Sequence, residues 1–194
     1  VTTGIYNTLV GGLAGSTLTD ADENTAIGLG ALQSDTKGSK SVAVGRLVLG
    51  SQNFTTATDS YNTAVGYYAG SSVTTGQYNT LIGAQAGDAI TTGGSNVAVG
   101  YFALSTEDGH GLNVAVGNRA LANQNAGANA YNVAVGTDAG YAITTGVQNT
   151  LIGGLAGDAL TDADINVAVG YGALSSDTMG SKSVAVGKNA LFSQ

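Results

Sequence analysis

The sequence predicts an all-β fold: a parallel β-roll, or β-solenoid, of about eleven coils. Three observations carry this reading. The motif N-[TV]-[AL]-[VI]-G, with Ser for Asn in two copies, starts at Asn7, Asn24, Ser41, Asn62, Asn79, Asn96, Asn113, Asn132, Asn149, Asn166 and Ser183. The starts are seventeen residues apart except for one interval of 21 and one of 19. A short fixed period marks one coil of a stacked array, because a unit of that size cannot bury its apolar face alone. The motif is also free of Asp, Glu, Lys and Arg in every copy, although charged residues make up 10% of the chain. Residues 1–194 therefore read as a single repeat array.

With the first motif residue as position 0, each element of a coil follows in order. Positions +1 to +3 are β-branched or small apolar residues between Asn and Gly, the pattern of a short strand between turns. Asn at position 0 suits either a side-chain amide ladder between stacked coils or simply a turn before the strand. Position +4 is Gly in all eleven copies, which calls for a positive φ or a close backbone approach at a corner. Position +7 is Ala in every copy but one, where Val48 stands. A second, weaker strand is expected near +10 to +12, as in Val73-Thr74-Thr75 and Ile90-Thr91-Thr92.

Side-chain size identifies the interior. Leu9, Leu81 and Leu151 at +2 are each paired with Gly at +8 (Gly15, Gly87, Gly157), whereas Leu at +8 always accompanies Ala at +2. One large and one small residue share a fixed volume, as close packing requires, so +2 and +8 face one core. Strand alternation then turns +1 and +3 outward, yet these are Val, Ile or Thr throughout. Such a stripe exceeds what a soluble monomer leaves exposed. The +3 row (Val10, Ile27, Val44, Val65, Ile82, Val99, Val116, Val135, Ile152, Val169, Val186) is accordingly expected to be the interface of a parallel homo-oligomer, with a trimer the favoured closed form for a fibre. At roughly 4.8 Å per coil the rod is about 50 Å long.

Two units are longer. Unit 41–61 has four extra residues, placed around Gln52 to Ser60, and unit 113–131 has two, around Asn123 to Ala130. Insertions in repeat proteins go to surface loops, so both should protrude. Residues 7–52 match 149–194 at 33 of 46 positions, and the chain opens in mid-coil without Met. These ends read as those of a section cut from a longer array.

Segments such as YNTAVGYYAGSSVTTGQYNTLIGAQAG and NVAVGYGALSSDTMGSK resemble the seventeen-residue NTAVGYxAL repeats of phage tail-fibre and related surface-fibre proteins. SVAVG and NVAVG are also similar to the shorter head repeat of trimeric autotransporter adhesins. The resemblance covers essentially the whole chain. It implies a left-handed β-roll assembled as a homotrimer, extracellular on a virion fibre or bacterial surface, serving attachment or spacing.

Little chemistry competes with that reading. There is no Cys, formal charge is −7, and only six Lys and Arg are present, which removes thiolate chemistry and any phosphate-binding groove. Nucleic acid is thus not an expected partner, and no apolar run reaches the length of a membrane span. No asymmetric catalytic constellation stands out from the repeats, so an enzyme is not expected, and neither is a cofactor. The only histidine, His110, lies between glycines and reads as a solvated loop residue rather than a metal ligand. The pairs Asp20/Asp22 and Asp162/Asp164 leave calcium open, but turn chemistry explains them without an ion. Tyr67, Tyr68, Tyr101, Phe102 and Tyr171, just past the corner glycine, are candidates for binding a host glycan or protein, against partial burial over a coil edge. A Thr ladder for ice binding is the remaining alternative, weakened by Glu107-Asp108, Ala126-Gly127 and Asp162-Ala163 in its path.

Overall fold

The computed structural model describes residues 1–193. Thirteen short strands are present: β1 (Thr8–Val10), β2 (Thr25–Ile27), β3 (Gly38–Ser39), β4 (Val42–Val44), β5 (Thr58–Asp59), β6 (Thr63–Val65) and β7 (Thr80–Ile82). They continue with β8 (Val97–Val99), β9 (Val114–Val116), β10 (Val133–Val135), β11 (Thr150–Ile152), β12 (Val167–Val169) and β13 (Val184–Val186). Eleven of them, one per motif, form a single parallel sheet in chain order, and β3 pairs with β5. Each strand sits directly on the next at the same motif position, as Leu9 on Ala26 and Ala64 on Leu81. The fold is therefore a β-solenoid of about eleven turns. Among the described residues no helix is long and apolar enough to cross a membrane.

The corner glycine meets both expectations set for it. Its φ lies between 122° and 143° in every copy. A Cβ on Gly45 would stand 2.0 Å from the carbonyl oxygen of Gly66 in the next coil, and one on Gly83 would stand 2.4 Å from that of Gly100. Backbone stacking at the corner leaves no room for a side chain.

The expected second strand at +10 to +12 is not formed. The chain there closes a tight turn, with the +11 N–H donating to the +8 carbonyl, as from Val73 to Gly70 (3.0 Å) and Ile90 to Gly87 (3.2 Å). A preceding turn joins +7 to +4, as from Ala103 to Gly100 (3.4 Å). Residues in the left-handed region at −1, +6 and +8 bend the backbone into this narrow loop, and 26 of them are not glycine. Each costs roughly 1–2 kcal/mol of steric strain. Cross-coil hydrogen bonds hold them in place: the −1 N–H donates to the −2 carbonyl of the preceding coil, as from Tyr78 to Ser60 (2.8 Å) and Ser95 to Gln77 (2.9 Å).

The core runs the length of the stack and is built from +2, +7, +8 and +11, with Ala26, Ala31, Leu32, Leu81, Ala86 and Ile90 all fully buried. The volume exchange is visible directly, since a Cβ on Gly87 would lie 2.7 Å from Cδ2 of Leu81 in the same coil. It also acts between coils. Gly70 sits in a coil with Ala64 at +2, and its Cβ would lie 2.6 Å from Leu81 and 3.0 Å from Leu49, the leucines above and below. The coils thus fall into groups of four by the residues at +2, +8 and +11. The first has Leu, Gly and an aliphatic residue (Leu81, Gly87, Ile90). The second has Ala, Leu and an acid (Ala98, Leu104, Glu107). The third has Ala, Leu and Gln (Ala115, Leu121, Gln124), and the fourth Ala, Gly and an aliphatic residue (Ala134, Gly140, Ile143). Both insertions fall in third coils.

Position 0 is buried in every coil but the first and last, where Asn7 and Ser183 are half-buried, and does more than start a strand. The side-chain Oδ1 of each of the nine Asn accepts from the position-0 N–H of the next coil, as for Asn79 from Asn96 (3.0 Å) and Asn149 from Asn166 (2.9 Å). In eight of the nine the Nδ2 crosses the coil to the +14 carbonyl, as from Asn79 to Gly93 and Asn149 to Ala163 (2.9 and 2.8 Å), whereas Asn113 Nδ2 has no partner among the described residues. The ladder is therefore mainly one of amide to backbone, stitching coils together and closing eight of them.

Candidate functional site

The outward face of the eleven-stranded sheet is the most extensive feature. Rows −1, +1, +3 and +5 point away from the core. In the +3 row Val10, Ile27, Val65, Ile82, Val135, Ile152 and Val186 are exposed, and Val44, Val99, Val116 and Val169 are half-buried between neighbours. The +1 row is half-buried except at Thr8 and Val184, which are exposed in the first and last strands. Of the 25 large apolar side chains exposed among the described residues, 18 lie in these four rows. The apolar surface is thus one continuous stripe rather than a scatter.

Aromatic residues border the stripe. On the +5 side Tyr67, Tyr101 and Tyr171 are about half exposed, while Tyr68 and Phe102 at +6 are more covered and pack against Tyr67 and Tyr101 with ring centroids 4.4 Å apart. Arg46 lies over the Tyr67 and Tyr68 rings at 5.6 and 5.5 Å. On the −1 side Tyr61 and Tyr78 stack at 5.6 Å with 13° between their planes, and Tyr6 and Tyr131 are exposed.

The insertion after Gln52 is not wholly a surface loop. Gln52, Phe54 and Ser60 turn inward and are buried, while Thr55, Thr56 and Ala57 are exposed. Its β5 lies beside β3 and forms one wall of an open acidic groove with Asp20, Asp22, Ser39, Asp59 and Tyr78. The carboxylates there already have partners. Asp20 accepts from the Thr3 hydroxyl and Asp22 from the Ile5 N–H, both at 2.8 Å, and Lys40 Nζ bonds Asp59 at 2.6 Å. That hydrogen bond holds the Asp59 carboxyl below its ordinary range and raises the Lys40 ammonium. Asp164 takes the Val147 N–H (2.8 Å) and Asp162 the Thr161 hydroxyl (3.0 Å). These pairs tie one coil to its neighbour or cap a turn.

The Thr row at +12 spends its hydroxyls in the same way: Thr74 donates to the Thr91 carbonyl (3.2 Å) and Thr91 to that of Asp108 (2.9 Å). A water-ordering ladder has few free hydroxyls left on that side.

Residues singled out least by the sequence occupy the +11 row. Asp35, Gln52, Glu107 and Gln124 are fully buried. Asp35 accepts from the Gly38 N–H (3.0 Å), the Phe54 N–H (3.1 Å) and Gln52 Nε2 (2.6 Å). Glu107 accepts from the His110 N–H at 3.2 Å, the Ala126 N–H also acts on its carboxyl, and its Oε2 has no hydrogen-bond partner among the described residues. Burial pushes the Glu107 carboxyl up, against the opposing pull of the His110 N–H. Aligning the +11 residues by coil exposes this row; reading the coils as equivalent hides it, because aliphatic residues, acids and amides alternate there.

No protein-family model matches the chain, and no curated protein and no solved structure matches it.

Proposed function

We propose that this array is a structural section of an extracellular fibre on a virion or cell surface, a rigid spacer built as a parallel homotrimer. The observation that carries the reading is the stripe: eleven stacked strands present Val, Ile and Thr outward, without a charge from position 0 to +4, bordered by tyrosines on both sides. Water-exposed apolar surface of that extent calls for cover, and in a stack of identical coils a second and third copy in register would supply it along the whole length. Parallel packing would bring equal rows together, so every coil would contribute the same contact. Sedimentation equilibrium on the purified chain tests this, with the expected mass three times that of one chain. Val65→Glu combined with Ile82→Glu should release monomers, because each sister chain would bury both charges unpaired. A wild-type chain that stays monomeric at all concentrations would remove the reading.

A second reading, direct adhesion to a glycan or protein, is favoured by one observation: the stacked and exposed Tyr61–Tyr78 pair beside the acidic groove. Aromatic faces next to hydrogen-bonding carboxylates suit sugar rings. Loss of glycan-array binding in Tyr78→Ala would support it, and silence of the wild type would leave the segment as shaft.

A further inference from the structure

We infer that Glu107, Asp108 and His110 form a binding site for one divalent transition-metal ion of the Zn2+ class in each chain. One donor atom from each of the three lies within 4.8 Å of the others, the only such group among the described residues. Two donors lack any hydrogen-bond partner: Glu107 Oε2, on a fully buried side chain, and His110 Nδ1. Leaving a buried carboxylate oxygen unanswered is costly; Asp177 Oδ2 in the same row also lacks a partner among the described residues, but its +14 neighbour is Gly180 and offers no imidazole.

The comparison with the equivalent coil makes the arrangement specific. In the coil of Asp35 the +14 residue is Gly38, and a Cβ there would collide with Asp35 Oδ2 at 2.2 Å. In the coil of Glu107 that place is taken by His110, and the acid is one methylene longer. The amide that serves Asp35 is also redirected: Gln124, the counterpart of Gln52, donates to the Thr144 carbonyl at 3.2 Å. Three differences in one locality thus remove the side-chain donor and supply an imidazole.

The separation fits a shared ion better than a hydrogen bond. Glu107 Oε1 and His110 Nδ1 are 3.7 Å apart, too far for an N–H to oxygen bond. Two donors each ~2.0–2.2 Å from one ion stand about 3–4 Å apart. One imidazole with two carboxylates suits a borderline ion such as Zn2+, whereas Ca2+ and Mg2+ take oxygen alone. Asp108 is exposed and the His110 side chain is 35% exposed, so an ion can enter from solvent and keep water as its remaining ligand.

The test uses the full chain without an affinity tag, stripped with chelator and titrated calorimetrically with Zn2+. The expected result is one saturable site per chain, together with a shift of the single histidine's imidazole NMR signals. His110→Gly, which installs the residue found at Gly38 and Gly180, should weaken binding at least tenfold while leaving circular dichroism unchanged. Glu107→Gln should weaken it comparably. Absence of saturable binding, equal affinity in His110→Gly, or a stoichiometry of one ion per three chains would each overturn the site.

Discussion

Coils 24–40 and 96–112 occupy the same place in successive groups of four and bury a carboxylate at the same position, yet they surround it differently. Asp35 is held by three N–H donors, one of them from Gln52 in the insertion above. Glu107 has the backbone N–H groups of His110 and Ala126, a neighbouring imidazole and no side-chain donor among the described residues. The backbones are alike, with Leu32 and Leu104 at φ 51° and 52°. The stack therefore fixes where a +11 side chain goes but not how its charge is answered; that depends on the residue at +14 and on the loop of the following coil.

The largest effects should separate the two acids. Asp35→Asn turns an acceptor into a donor facing Gln52 Nε2, whose own oxygen already accepts from Asn62 at 2.9 Å. Losing a charge-assisted bond and opposing two N–H groups should cost on the order of 3 kcal/mol. Glu107→Gln in chelator-treated protein removes an under-solvated charge, so its effect should stay within about 1 kcal/mol. Urea midpoints of the two variants compare them, and equal losses would mean the donors around Asp35 contribute little.

The amides above the acids should differ in the same sense by less. Gln52→Ala leaves Asp35 Oδ2 without its donor and removes a bond to Ser41 Oγ (2.9 Å), a loss of about 2 kcal/mol. Gln124→Ala removes the acceptor of Asn132 Nδ2, which keeps the Gly146 carbonyl at 2.7 Å, so about 1 kcal/mol is expected. Thermal midpoints in parallel scans read the ordering.

How far the sequence reveals such differences depends on whether a residue type has one structural meaning. Gly at +4 does, and the corner follows from it. The Leu–Gly exchange at +2 and +8 also does, because volume is conserved, although the small pair Ala64 and Gly70 makes sense only once Leu49 and Leu81 are seen above and below. Val-Thr-Thr has strand propensity and so predicts a second strand, but left-handed +8 residues such as Leu104 and Gly87 turn the chain there instead. Nothing in Tyr, Lys or Leu announces a positive φ. The outward stripe was legible through alternation; the exposure of its tyrosine borders was not, because partial burial over a coil edge fits the same positions. The Glu107 and His110 pairing was not, because it requires the +11 and +14 positions to be known neighbours.

A second pair of equivalent coils gives the same contrast at two half-buried carboxylates, with pH as the probe. Asp158 accepts from the Ser175 hydroxyl at 2.7 Å. Its counterpart Asp88 has an Oδ1 without a partner, because Ser105 turns to the Ala122 carbonyl (3.2 Å). Partial burial raises the Asp88 carboxyl above its ordinary value, with Gln85 opposing. A raised folded-state pKa means the folded chain holds the proton more tightly than the unfolded one. The stabilisation is complete below the ordinary Asp range, about pH 4, and is lost as pH rises through the folded-state value. Asp88→Asn should flatten that part of the stability–pH curve, and an unchanged slope would place its origin elsewhere.

The smallest effect serves as a control in which the two coils should agree. Glu23 and Ser95 precede the motifs of the Asp35 and Glu107 coils, are exposed, and have the same φ of 57°. Glycine adopts that conformation without the clash of a Cβ, against which it loses more freedom on folding. The net gain for Glu23→Gly and for Ser95→Gly should be about 0.5–1 kcal/mol each. Neither residue touches the +11 row, so unequal gains in urea titrations would mean the two backbones differ in strain. Equal gains would leave the side chains at +11 and +14 as the source of every larger difference between the coils.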